Sequence, residues 1–280
     1  MSRSKYSENP LFGPFIAVNG GTTIRQTDDI ISAFNSELTI ETHKPVLGFL
    51  ASFSTFTGSN TFRDSRYPNI KDLPLLLRNV KERVCTVISY KTDFSHFYSE
   101  IETILTYQNI YESGLCNGIK LNMAWPLVEE IRKIREHFSG VEIIIRVSTQ
   151  MSGNQLGAKE AASRAAKYFP HVDYVFIDKP NNQELDHSLD LFNEMKSQGF
   201  PDIGFGGAIY PDSAPLLMES LRNGLEKHRF SIQIQDGARD RENTPSNSIS
   251  ESTLNMEKVR SFIRSTSMAF SQSQVSAPIY

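Results

Sequence analysis

The sequence predicts a single α/β domain closed as a (β/α)8 barrel, the TIM barrel of the phosphate-binding type. Three observations predict it. Eight short apolar runs alternate with stretches of helical spacing along the 280 residues, and strict β-then-α alternation favours a parallel sheet that eight units can close. The rival, an open doubly wound sheet, wants a Gly-x-Gly-x-x-Gly turn after an early strand, and Val18-Asn19-Gly20-Gly21 does not supply one. The last two strands end in Gly206-Gly207 and in Gly237, where backbone N–H groups reach an anion with no Cβ in the way. Barrels of this kind commonly hold a phosphate in those two loops.

Residues 1–13 are polar and expected to be loose. The apolar run 14–18 is stopped by Asn19-Gly20-Gly21, and 23–34 places Ile24, Ile30, Ile31 and Phe34 at helical spacing. A second strand at 45–53 leads through a polar loop, 54–64, to Ser65-Arg66-Tyr67-Pro68 and a helix at 71–80. The β-branched run 84–88 is the third strand, and 94–107 is again helical. Strand four, 117–122, carries Lys120 and Asn122, and Pro126 suits the first turn of a helix at 126–138. Strand five (141–147) is followed by an Ala-rich helix (157–168), strand six (172–177) by Asp178 and a helix at 183–196 that Gly199 stops. Strand seven (202–205), a helix (213–223) and strand eight (230–234) complete the alternation. A polar segment, 241–253, precedes a last helix at 254–264, and the Ser/Gln-rich tail from about 266 to 280 is expected to fray. With no Pro- or Gly-rich linker, 1–280 reads as one domain.

A hydrophobic fraction of 39% and a net charge of −3 describe an ordinary water-soluble chain with no electrostatic case for nucleic acid. No apolar run approaches the roughly 18 residues that span a bilayer, and the first residues lack a signal-peptide core, so a cytoplasmic protein with no membrane partner is expected. Cys85 and Cys116 lie beside apolar runs and read as buried reduced thiols. The six histidines, His43, His96, His137, His171, His187 and His228, end no strand, and surface or helix-end positions are expected for them. No His/Asp/Glu cluster suggests a metal, and no cofactor is expected.

In a barrel the chemistry sits at the carboxyl ends of the strands. The candidates there are Asn19 and Thr22, Ser52 and Ser54, Ser89 and Lys91, Lys120 and Asn122, Arg146 and Ser148, and Asp178 and Lys179. Asp178 is the leading one: it ends an apolar strand, where desolvation raises a carboxyl pKa and suits it to acid catalysis. Capping the next helix is the plainer role. Lys120 and Asn122 share strand parity and can both face inward. Among Ile119 and Leu121, Lys120 can form a Schiff base, bind a substrate anion or pair with a carboxylate. Arg146 has the same alternatives.

Several stretches resemble the phosphoribosylanthranilate isomerases of tryptophan biosynthesis, and so amino-acid biosynthesis. Gly204-Phe205-Gly206-Gly207-Ala208-Ile209-Tyr210-Pro211 is similar to that family's first phosphate loop, and Gln235-Asp236-Gly237-Ala238-Arg239 stands where its second lies. Asn255-Met256-Glu257-Lys258-Val259-Arg260-Ser261-Phe262 resembles its closing helix, and Ser65-Arg66-Tyr67 its Ser-Pro-Arg loop. The resemblance implies Asp178 as catalytic acid and Arg66 at a substrate carboxylate. It further implies Gly206, Gly207, Ala208, Asp236 and Gly237 around a phosphate, and Asn19 and Asn122 beside the substrate, where Arg146 is expected from its strand-end position. Asn19 stands where the family has its basic cysteine, and an amide takes no proton at neutral pH. Asn122 replaces a histidine, and Asp236 brings a negative charge to a phosphate loop.

The implied activity is an isomerase of a small phosphorylated sugar or sugar-amine. Asp178 opens the ring and a base, Lys120 once deprotonated, removes the neighbouring proton in an Amadori-type shift. The alternatives are a Schiff-base lyase or aldolase using Lys120 or Lys179, and a barrel that binds a phosphorylated ligand without turnover. The expected partner is that small phosphorylated substrate, with a homodimer among the assemblies open to the chain.

Overall fold

The structure, a computed structural model, describes residues 13–57, 65–92, 96–148, 150–151, 154–179, 185–200, 202–207, 209–225, 229–241 and 252–275. The strands are β1 (Phe15–Asn19), β2 (Lys44–Ser52), β3 (Cys85–Lys91), β4 (Gly118–Ala124), β5 (Glu142–Val147), β6 (Gln150–Met151), β7 (Asn154–Gln155), β8 (Tyr174–Lys179), β9 (Asp202–Gly207), β10 (Ser231–Ile234), β11 (Arg239–Arg241) and β12 (Ser252–Leu254). The helices are α1 (Ile24–Glu37), α2 (Phe53–Thr57), α3 (Leu73–Val80), α4 (Tyr98–Thr106), α5 (Val128–His137), α6 (Ala158–Ala165), α7 (Leu185–Ser197), α8 (Ala214–Leu225) and α9 (Met256–Val275). Eight parallel strands close in the order β1-β10-β9-β8-β5-β4-β3-β2, with Ile16 opposite Ile232 at the seam. The chain is a TIM barrel, as the alternation predicts.

A barrel strand is buried on both faces, which is why these runs are continuously apolar rather than alternating. Alternate residues of the strands make a cluster of their own inside the barrel: Phe15, Ala17, Val46, Cys85, Val87, Ile144, Tyr174 and Phe176. The opposite parity, Ile16, Val18, Leu47 and Phe49 among others, joins the larger core under the helices. The interior is packed rather than hollow. The Phe176 ring stacks on Phe15 at 5.5 Å, and it occupies the space that a Cβ at Gly204, its neighbour in the sheet, would need.

Several boundaries differ from the sequence expectation, each for a local reason. Thr23 accepts from the Gln26 N–H and starts α1, and the buried stripe of that helix takes Thr27 while Ile24 stays half exposed. Pro126 lies before α5 rather than in it, because Trp125 adopts a positive φ of 54° and the helix begins at Val128. The polar segment after the eighth barrel strand opens and closes with β11 and β12, paired antiparallel from Arg239–Leu254 to Arg241–Ser252. The last helix begins at Met256 and runs past the expected end at Arg264 to Val275. Thr266 and Ser267 are buried there, Thr266 bonds back to the Phe262 carbonyl, and Phe270 packs against the core.

His43 corrects the expectation of surface histidines: it is 4% exposed, directly ahead of β2. Cys85 and Cys116 are buried and free. The N-terminal residues 1–12, most of the 54–64 loop, His228 and the tail from 276 lie outside the described residues. No helix among the described residues is long and apolar enough to cross a membrane.

Candidate functional site

Near the carboxyl end of the barrel the inward parity turns polar. Asn19 on β1, Ser89 on β3, Lys120 on β4 and Gln233 on β10 are all buried, Lys120 to 3% exposure. The Asn19 amide donates to Ser89 Oγ at 2.9 Å and to Gln235 Oε1 at 3.5 Å. Its oxygen stands 1.8 Å from where a Cβ at Gly48 would lie, so glycine on the neighbouring strand is what admits it. Lys120 Nζ donates to Gln233 Oε1 at 2.6 Å and sits 4.5 Å above the Phe176 ring. A Cβ at Gly206 would come within 3.5 Å of the same nitrogen. The Lys120 amine is thus held out of water by an amide oxygen and an aromatic face.

The second half of the site is the corner where the loops after β9 and β10 meet. Gly207 takes φ +94°, which lets its carbonyl accept from the Ile209 N–H at 2.9 Å. Gly237 is buried, and a Cβ there would fall 1.9 Å from the Ile209 carbonyl oxygen. The two loops therefore touch, main chain to main chain, where Gly237 meets Ile209, two residues beyond Gly207. Arg66 and Asp236, expected at opposite ends of a substrate, are joined to each other: Arg66 Nη1 donates to Asp236 Oδ1 at 3.1 Å. Behind them the buried Arg239 guanidinium donates to the carbonyls of Gly20 (2.5 Å) and Ser252 (2.7 Å), tying the end of β1 to β12. Asn255 caps α9, its Oδ1 accepting from the Glu257 and Lys258 N–H groups at 2.9 and 3.1 Å.

The remaining predicted residues are dispersed around this centre. Asp178 pairs with Gly206 in the β8–β9 ladder, two residues beyond Phe176, but its side chain, with that of Lys179 and the whole of Ala208, lies outside the described residues. Asn122 lies half-buried on β4, in the stretch from Lys120 to Ala124 where the register against β5 shifts. Arg146, half-buried on β5, lends its carbonyl to the Trp125 N–H at 3.4 Å. Trp125 in turn donates from its ring to the Ser148 carbonyl at 3.2 Å and carries the Arg164 guanidinium 4.9 Å above it. Gln233, Gln235 and Arg239 are the site residues that sequence reasoning missed. The signal for the two glutamines is the alternation of Ser231-Ile232-Gln233-Ile234-Gln235, polar at each inward position of a barrel strand. Among the described residues no group of three His, Cys, Asp or Glu side chains has metal-holding geometry.

No family model matches the sequence, and no curated protein matches it. Solved structures do. A phosphoribosyl anthranilate isomerase from Thermococcus kodakaraensis is similar at a TM-score of 0.57 and 10% identity, over 90% of this chain and 98% of that one. The phosphoribosyl anthranilate isomerase from Thermotoga maritima gives 0.58 and 13% over the same shares. A tryptophan synthase from M. tuberculosis gives 0.53 and 8%, over 92% of this chain and 93% of its own. Likeness at these identities shows the shared barrel.

Proposed function

We propose that the chain is an isomerase of a small phosphorylated sugar or sugar-amine, working at the carboxyl end of the barrel. The observation that carries the reading is the buried amine of Lys120, 2.6 Å from Gln233 and facing Gly206, beside the glycine corner of the last two loops. The likeness to two phosphoribosyl anthranilate isomerases supports the substrate class. In this reading the phosphate rests at the Gly207–Gly237 corner. Asp178 gives its proton to the ring oxygen and the ring opens. Lys120, deprotonated, takes the proton from the carbon beside the former anomeric centre and returns one to that centre, so that the intervening enol becomes the ketose.

The test is proton NMR of phosphorylated aldoses and their amino derivatives in deuterium oxide. Ketose formation with deuterium entering at the former anomeric carbon is the expected result, and it should fall by about a hundredfold in Lys120→Met and in Asp178→Asn. If both variants keep the wild-type rate, the assignment is wrong.

Asn19 favours a second reading. At 1% exposure, bonded to Ser89 and Gln235, it is an amide that takes no proton, locked where the resemblance implies a base. A barrel that binds the phosphorylated ligand without turnover accounts for that, and calorimetric binding of ribose 5-phosphate with no product formed would select it.

A further inference from the structure

An acid in a loop that receives a phosphate repels its ligand unless something neutralises it. Asp236 is neutralised. Arg66, from the segment that leads into α3, meets it at 3.1 Å, and the two side chains are 34% and 44% exposed. A second tie joins the same two regions: Ser65 Oγ donates to the Ser252 carbonyl at 2.9 Å, and the Ser252 N–H returns to Ser65 Oγ at 3.3 Å. In the barrel β1 lies between β2 and β10. The contact therefore links the segment after β2 to the segment after β10 across the end of β1, beside the corner where Gly237 meets Ile209.

We propose that the Arg66–Asp236 pair is an anion-exchange latch, in which the phosphoryl group of the ligand takes Arg66 from Asp236. Arg66 is then the residue that selects for phosphate, and Asp236 sets how strongly a ligand must compete. This rests on the phosphorylated-ligand reading above. The chemistry favours the exchange: guanidinium binds phosphate through two parallel N–H bonds, whereas this pair is held through one. Ion pairs exposed to this degree are weak and screened by salt. The incoming group also carries more charge than the carboxylate it displaces.

Calorimetric titration of the full-length chain with inorganic phosphate and with ribose 5-phosphate at low salt tests the latch. Asp236→Asn should bind both more tightly, by about threefold to fivefold, the range an exposed pair allows. Arg66→Gln should bind both about tenfold more weakly, and the double variant Arg66→Gln/Asp236→Asn should show no gain over Arg66→Gln alone. A gain in Asp236→Asn that survives the loss of Arg66 means a diffuse field and overturns the latch. So does wild-type affinity in both single variants, which leaves the phosphate site itself standing. Absence of binding in both the wild type and Asp236→Asn removes the phosphorylated-ligand reading, and the latch with it. Because both side chains lie at the surface, unchanged thermal unfolding of each variant identifies an affinity change as local.

Discussion

His43 makes the stability of this barrel depend on pH in a direction that can be worked from its contacts. Its ring stacks on Phe270 of α9 at 3.8 Å; Nε2 is 3.1 Å from the Phe230 carbonyl oxygen and Nδ1 is 3.0 Å from Thr42 Oγ1. A carbonyl only accepts, so Nε2 carries the hydrogen and Nδ1 accepts from the Thr42 hydroxyl. The neutral ring is fully satisfied. A second proton would reverse the Thr42 bond and place a charge where water is excluded. Burial, opposed by the Phe230 carbonyl and assisted by the nearby Arg229 charge, lowers the His43 pKa to about 4 from its ordinary 6.5. The folded pKa is the lower one, so on acidification the unfolded chain takes up its proton first. The contribution of His43 is complete above about pH 6.5 and drains away as pH falls towards 4.

At about 1.4 kcal/mol per unit the whole span is worth roughly 3 kcal/mol, and about 2 kcal/mol is gone by pH 5. Urea unfolding at pH 7.5 and pH 5, on wild type and His43→Gln, reads this directly. Glutamine has no proton to gain, so the variant should be weaker at pH 7.5 but lose about 2 kcal/mol less on acidification. Equal losses in the two proteins would refute the reasoning, whatever their absolute stabilities.

Two further predictions concern packing. Gly237→Ala puts a methyl group 1.9 Å from a main-chain oxygen that cannot rotate away, and should cost about 3 kcal/mol, roughly 6–12 °C of Tm by calorimetry. Gly206→Ala meets only Phe176 and Lys120 side-chain atoms at 3.3 and 3.5 Å, and should stay within about 1 kcal/mol. Tyr90→Phe removes the hydroxyl that donates to the buried Glu100 carboxylate. The deprived acid should make that change cost about 1–3 kcal/mol by urea unfolding, and wild-type stability would show that Glu100 has other support.

The fold was legible because a barrel strand declares itself twice, by a β-branched or aromatic run and by the helical spacing that follows it. All eight runs became barrel strands in the predicted order. The termini of α5 and α9 were less legible. A positive φ at Trp125 and burial of Thr266 and Ser267 are decided by tertiary neighbours, and local propensity is silent about them. In the site, Asn19 is marked by its place at the end of β1 and Lys120 by strand parity, and both signals survive any detail of packing. The Arg66–Asp236 pair was not foreseen, because it joins residues 170 positions apart through loops whose course no periodicity specifies. Gln233 and Gln235 were visible in the alternation of their strand, hidden only by its reading as a plain apolar run.

The polar end of the barrel divides into two parts with different chemical capacity. On the β1–β3 side, Asn19 and Ser89 satisfy each other, and Asn19 fits because Gly48 yields its Cβ space. A neutral amide so placed neither gains nor loses a proton, and moving it would leave buried polar atoms unpaired. On the β4–β10 side the Lys120 amine is held against Gln233 and the Phe176 ring, with the glycine of β9 opening the space in front of it. A buried amine is costly unless it is partnered, and here an amide oxygen and a ring face supply the partners. In the proposed reading, proton and anion chemistry belongs with β4, β8, β9 and β10 and the loops that follow the last two. Asn19 serves as the scaffold that keeps the β1 end closed.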